Sequence, residues 1–147
     1  MTAWGEEIFH HDSGQKVFHQ DRGEDPTPTL FYATVEDFVR EQLTPMYRRA
    51  LDSPSRAWCP QWWKHAEAIS RLEALWRAWE HLRLDPATGM SVWFRDHADH
   101  HMTVLLDSEG PFKRCSPSKG HKPLDELPLE PAPDGLFTPG GASALAT

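Results

Sequence analysis

The sequence predicts an all-α protein: a small bundle of three to four helices with a disordered tail on each side. Three observations favour this class. Apolar residues between positions 30 and 122 recur at helical spacing, helix-start and helix-stop residues separate the apolar runs, and the flanking segments are polar and rich in proline. With 147 residues, 39% of them hydrophobic, the chain is long enough for one domain with a modest core.

The two ends of the chain have compositions typical of disorder. Residues 1–29 contain six acidic and two basic residues, and residues 123–147 contain five prolines and a Gly/Ala/Ser-rich end. Such segments bury too little apolar surface to offset the entropy lost on ordering. We therefore expect a disordered acidic tail over 1–29, a helical domain over 30–122 and a Pro-rich disordered tail over 123–147.

The first helix is expected to start at Thr34, because its hydroxyl can accept a hydrogen bond from an amide of the first turn. Pro45 lacks the amide that a continuing helix needs, so the helix should kink there or restart with the proline in its first turn. Its apolar face is set by residues at helical spacing: Val35, Phe38, Val39 and Leu43.

The strongest helical pattern lies in "HAEAISRLEALWRAWEHLRL", residues 65–84. Pairs of opposite charge four residues apart mark the solvated face, and Asp85-Pro86 ends the helix. Glu80 and His81 are interpreted as its polar edge. The apolar stripe predicts core positions for Ile69, Leu72, Leu75, Trp76, Trp79 and Leu82, and Trp62 and Trp63 are assigned to the core as well.

Two further helices are predicted in "MSVWFRDHADHHMTVLLD". The first should end near Asp96, and a short second one should run from Asp99, as its N-terminal cap, through Leu106. The segment "DSEGPF" then forms a turn, with Gly110-Pro111 as the breaker.

The stretch "WCPQWWKH" places Cys59 among tryptophans, and the only other cysteine is Cys115 in "CSPSKGH". Each cysteine is followed six positions later by a histidine. Pro60 restricts Cys59 to an extended conformation. We expect "WCPQWW" to form a rigid, mostly buried corner that packs against "GPFKRC" and brings Cys59 close to Cys115.

These residues leave three interpretations open. A structural zinc ion takes four cysteine or histidine ligands in a tetrahedron, which Cys59, His65, Cys115 and His121 could supply. A second set replaces the two histidines by His97 and His101, which lie four positions apart on a helix. The third interpretation, two buried thiols and no metal or other cofactor, is favoured because free cysteines are usually small buried hydrophobes.

No catalytic motif accompanies these residues. The sequence contains no zinc-protease H-E-x-x-H motif, no phosphate-binding loop and no nucleophile elbow. A metal at His97 and His101 with Asp96, Asp99 or Glu80 as base would make a hydrolase or nuclease. We expect no catalytic residues.

The net charge of −7 is unevenly distributed. Each tail contributes −4 and the centre is +1, so acidity argues against nucleic-acid binding for the tails alone. Arg40, Arg48, Arg49 and Arg56 are candidate contacts to a partner protein or to nucleic acid, although a solvated face is the simpler interpretation. The chain has no apolar run that could span a membrane and no signal-peptide pattern, so a cytoplasmic location is expected.

The block from "WCPQWWKHAEAISRLEALWRAWEHLRL" through "SVWFRDHADHHMTVLLDSEGPFKRC" resembles domain-of-unknown-function family 4913. The resemblance covers about residues 30–121. It implies a helical domain and an origin in plasmids, phages or integrated elements of high-GC Gram-positive bacteria, and it supplies no activity.

The function expected from the sequence is a non-enzymatic helical binding or accessory module of a mobile genetic element. A helix-turn-helix could be formed by residues 66–84 and 88–98, but the second helix offers only Arg95 as a base, so a protein partner is favoured over DNA. The alternatives are a module with a structural zinc at the cysteines and, less favoured, a metal-dependent hydrolase or nuclease. The sequence does not set the oligomeric state.

Overall fold

The computed structural model describes residues 29–141. Within this range the chain is helical and contains no β-strand, which confirms the predicted all-α class. Three helices form the bundle. The predictions of disorder for residues 1–28 and 142–147 fall outside the described residues, and residues 123–133 have neither helix nor strand and lie exposed.

Helix α1 spans residues 35–46, with a π-helical stretch at Val39–Leu43. It begins as predicted, because the Asp37 amide donates to Thr34 Oγ1 at 3.1 Å. The predicted face is correct too, since Phe38, Val39 and Leu43 are buried. Pro45 lies within the last turn, and the chain leaves helical conformation at Tyr47.

Helix α2, Ala66–Leu82, is the central element, and a 3-10 turn at Trp62–Lys64 leads into it. The predicted stripe is confirmed: its members are buried or packed against the core. Two predictions at its edges are wrong. Glu80 is buried rather than part of a polar edge, and Trp63 is 53% exposed rather than in the core.

Helix α3 runs without a break over residues 89–106, where the sequence predicted two helices. Asp99 is not an N-terminal cap but a helical residue, with φ −62° and ψ −40°. The segment 96–99 contains no breaker, and burial of Ala98 holds this turn against the core. The backbone continues through this turn as a π-helical stretch at Phe94–Ala98.

Gly89 starts α3 because the chain passes very close to the end of α2. A Cβ atom at this position would lie 1.8 Å from the carbonyl oxygen of Leu82. Asp85 caps the connecting turn through the amides of Ala87 and Thr88. The short link therefore folds α3 back against α2.

Trp93 is the centre of the core and is fully buried. Its indole Nε1 donates to the Leu75 carbonyl at 3.0 Å, so the large side chain leaves no unpaired polar atom. The loop after α3 closes the bundle with Phe112, which is also fully buried and lies 5.0 Å from Trp58, ring centroid to centroid.

Candidate metal centre and arginine-lined clefts

Cys59 and His65 are brought to one point by the turn that enters α2. The amides of Lys64 and His65 donate to the carbonyls of Gln61 and Trp62, which closes the 3-10 turn between them. His65 is extended, with φ −116° and ψ 111°, and directly precedes the helix. Its ring stacks edge-on against Phe112 at 5.0 Å, so the packing of the core orients the imidazole.

Cys115 and His121 are joined by a tight turn in the closing loop. Ser116 and Gly120 pair through two backbone hydrogen bonds, and Gly120 has φ 70°, a conformation that favours glycine. The amide of Lys122 donates to Cys115 Sγ at 3.2 Å. Backbone amides that donate to a ligand sulfur are a common outer contact of metal sites and fix the position of that sulfur.

The two pairs meet at the N-terminal end of α2. Cys59 Sγ lies 3.6 Å from His121 Nδ1, and Cys115 Sγ lies 3.6 Å from His65 Nε2. The two ring nitrogens are 3.0 Å apart, and all four atoms lie within 4.8 Å of one another. A zinc tetrahedron with two sulfur and two nitrogen ligands has edges of about 3.3 to 3.8 Å. The spacing therefore suits a single ion with little rearrangement.

Burial shapes the electrostatics of this cluster. It raises the pKa of the Cys59 thiol, and the neighbouring Cys115 acts in the same direction, while the Gln61 amide opposes both. It also lowers the pKa of His65, with His121 adding to the effect and the Pro111 carbonyl opposing it. Both trends have one cause, since charge on a group facing like neighbours in a dry site is unfavourable. A cation at the centre would favour the Cys59 thiolate and would keep His65 neutral, and these are the forms that bind metals.

The alternative ligand set is not assembled among residues 29–141. His101 lies beside Arg71, with Nδ1 3.1 Å from Nη1, and neither His97 nor His101 joins the cysteines. The residues considered for catalysis are otherwise engaged. Asp96 pairs with Arg95 at 2.7 Å, Asp99 accepts from the Tyr47 hydroxyl at 3.3 Å, and Glu80 is buried against backbone amides.

Residues 32–133 match the family described as Domain of unknown function (DUF4913). The chain belongs to this family. No curated protein and no solved structure matched the chain, and the family description assigns no activity. The matched range includes all four members of the cysteine–histidine cluster.

The four arginines proposed as contacts differ in their surroundings in this DUF4913 chain. Arg40 is held by acidic neighbours on its own helix, Glu36, Asp37 and Glu41. Arg48, Arg49 and Arg56 have no ion pair within residues 29–141. They line two adjoining clefts between the end of α1 and the C-terminal half of α3. Within residues 29–141, no helix is both long and apolar enough to cross a membrane.

Two features of the structure could not be found by reasoning from the sequence. Glu80 Oε1 and Oε2 accept hydrogen bonds from the Phe31 amide at 3.1 and 2.9 Å, and Oε1 accepts from Tyr32 at 2.8 Å. The clefts combine residues from α1, the following loop and α3, and no sequence spacing links these segments. Both features depend on contacts between residues roughly 50 positions apart.

Proposed function

We propose that this protein is a helical module whose fold is closed by a structural zinc ion bound to Cys59, His65, Cys115 and His121. The observation that carries the proposal is the convergence of two sulfur and two imidazole nitrogen atoms within 4.8 Å. With both cysteines as thiolates and both histidines neutral, all four atoms are electron-pair donors. A divalent cation satisfies all of them at once.

A structural role fits this set better than a catalytic one. Four protein ligands complete the zinc tetrahedron, whereas a catalytic zinc keeps a position for water or substrate. The ion would join the entrance of α2 to the closing loop, two segments about 50 residues apart in sequence. A small domain gains much from such a link, because its own core supplies limited stability.

The module is proposed to bind a protein partner as an accessory factor of a mobile genetic element, in the cytoplasm where thiols stay reduced. The mobile-element role rests on the resemblance of the sequence to domain-of-unknown-function family 4913 and on the origin which that resemblance implies. The clefts support protein binding, since they combine unpaired arginines with apolar walls. DNA is the weaker candidate, because Arg40 and Arg95 are already paired with carboxylates.

Metal analysis of the purified full chain tests the zinc proposal. The expected result is one zinc per chain, retained through gel filtration and removed by a strong chelator. Cobalt should replace zinc and give the visible absorption of tetrahedral cobalt with thiolate ligands. Cys59→Ser and His121→Ala should lose the ion.

His97→Ala is the matched control, since it removes a histidine that lies outside the cluster. This variant should keep one zinc per chain. Metal-free protein with unchanged thermal stability would show that the cluster is packing alone. Loss of zinc in His97→Ala would point to the other ligand set instead.

A further inference from the structure

Two adjoining clefts form one continuous surface beside the end of α1. Their volumes are about 330 and 600 Å³, and four residues line both. The shared residues are Tyr47, Arg49, Met102 and Leu106. We call this surface the arginine cleft, and its remaining arginines are Arg48 and Arg56.

The smaller part of the arginine cleft has mainly apolar walls, with Arg48 and Arg49 at its edge. The larger part is more polar, because Asp99 and Asp107 line it together with Arg49 and Arg56. Leu43, Leu51 and Trp58 extend the apolar wall around Met102 and Leu106. The Cζ atom of Arg49 lies 5.2 Å from the centroid of the Tyr47 ring, and this contact holds the guanidinium at the opening of the cleft. Exposed arginines beside apolar walls suit an acidic peptide with bulky apolar side chains better than a phosphate backbone.

The same chain displays a segment with the complementary character. Residues 124–130, "LDELPLE", alternate leucines with acidic residues, and Leu127 and Leu129 are 86% and 91% exposed. Asp125, Glu126 and Glu130 make no ion pair within residues 29–141. This leucine–acid segment lies inside the family match, which ends at residue 133.

We propose that the leucine–acid segment of one copy binds in the arginine cleft of a second copy. The leucines would pack on Met102 and Leu106, and the carboxylates would face Arg48, Arg49 and Arg56. Prolines at 123, 128 and 131 favour an extended conformation that costs little entropy to bind. In the structure these leucines are exposed and do not line the cleft of their own chain, so they are free to bind the cleft of another copy.

This inference adds a partner to the binding role proposed above and needs only an intact fold. Reciprocal exchange of the segments would give a closed dimer, and one-way binding would give longer assemblies. Because the contact combines charge with a small apolar area, it should weaken as salt is added.

Sedimentation of the full chain, at tens to hundreds of micromolar, tests the proposal on samples of measured zinc content. The mass should rise well above the 16.8 kDa of one chain. Arg49→Glu and the double variant Leu127→Asp, Leu129→Asp should each weaken association at least about tenfold. All three positions are exposed, so both variants should keep the parent's unfolding temperature. Arg95→Glu and Phe137→Asp are matched exposed controls and should associate like the parent.

Mixing the two defective variants gives the sharpest result. The Arg49→Glu chain keeps an intact segment, and the Leu127→Asp, Leu129→Asp chain keeps an intact cleft. The mixture should form a mixed complex although neither variant associates alone. A synthetic peptide of residues 123–133 should dissociate the parent assembly.

A parent that stays monomeric with one zinc per chain would overturn the second-copy proposal and leave the zinc proposal intact. Association that persists in both variants would overturn it as well. So would a monomeric parent that binds duplex DNA through Arg49, since the cleft would then serve nucleic acid.

Discussion

The two ends of α2 are both tied to segments far away in sequence, but by different chemistry. At the C-terminal end, the Glu80 carboxylate accepts the amides of Phe31 and Tyr32 and pairs with Arg83 at 2.8 Å. At the N-terminal end, His65 meets Cys59, Cys115 and His121. One anchor is complete with protein groups alone, and the other brings together four atoms that together fit a cation.

The difference shows what each anchor requires. Burial would raise the pKa of Glu80, but the two amides and Arg83 outweigh it and lower that pKa, so the charged carboxylate is the stable form. In the cysteine–histidine cluster, burial raises the pKa of Cys59 and lowers the pKa of His65, and the Gln61 amide and the charge of Lys64 do not outweigh burial at Cys59. The first anchor is therefore independent of conditions near neutrality, and the second should depend on metal.

The largest expected effect comes from Cys59→Ser, which removes a zinc ligand. We expect loss of the ion and of roughly 3 kcal/mol or more of stability, equivalent to a fall in Tm of more than about 12 °C. Thermal unfolding with and without chelator measures it. Chelator should lower the Tm of the parent and leave the variant unchanged. A chelated parent that unfolds at its original temperature would contradict the prediction.

Glu80→Gln should break the other anchor while leaving the metal in place. Glutamine keeps one acceptor oxygen, but its NH2 group would replace the oxygen that accepts from the Phe31 amide and from Arg83, and Arg83 loses its charged partner. The cost should be about 2 kcal/mol, or roughly 8 to 16 °C in Tm, with one zinc still bound. Glu73→Gln is the control, because Glu73 makes only a surface pair with Arg77 and should change Tm little. Zinc loss in Glu80→Gln would show that the anchors are coupled.

As the pH falls, the metal site should be lost before the contacts of Glu80. Protons compete with zinc for histidines and thiolates, so the metal should leave first, as the pH falls below about 6. The pKa of Glu80 is lowered in the folded protein, so its contribution is complete above the usual value of 4.5 and is lost as the pH falls through the lowered pKa.

Unfolding free energy measured against pH should therefore fall in two steps. Cys59→Ser should lack the upper step and Glu80→Gln the lower one. A single step in the parent, shared by both variants, would argue against separate anchors.

Arg40→Ala should have the smallest effect. Arg40 is exposed and its ion pairs are with acidic neighbours on its own helix, so neither anchor depends on it, and it does not line the arginine cleft. Thermal unfolding, zinc content and sedimentation should all match the parent. A change in sedimentation would extend the contact surface beyond the arginine cleft.

Local patterns in the sequence were sufficient to predict much of the fold. The cap at Thr34 and the apolar stripe of α2 depend on neighbouring residues, and both are present in the structure. The end that Asp85-Pro86 predicts for α2 lies close to its last residue, Leu82. The division of α3 was wrong because Asp99 is typical of a cap, while burial of Ala98 keeps the chain helical there. Trp63 points outward because a 3-10 turn places adjacent side chains on different sides.

In the candidate site too, part of the arrangement could be predicted from the sequence and part could not. The two Cys-x5-His spacings identified the four residues, yet spacing could not choose between these histidines and His97 with His101. Only the tertiary structure made that choice, because it depends on where the loop after α3 lies. Packing of Phe112 against Trp58 and His65 places Cys115 and His121 beside the entrance of α2.

By itself, the sequence determined the helical class, the apolar faces and the short list of ligand candidates, because these depend on periodicity and residue chemistry. Only the tertiary structure decided that Glu80 binds the chain before α1, that Arg48, Arg49 and Arg56 line one cleft, and which histidines face the cysteines. Each of these joins segments far apart in sequence. Such contacts form only when the whole core packs, and no local pattern encodes their distances.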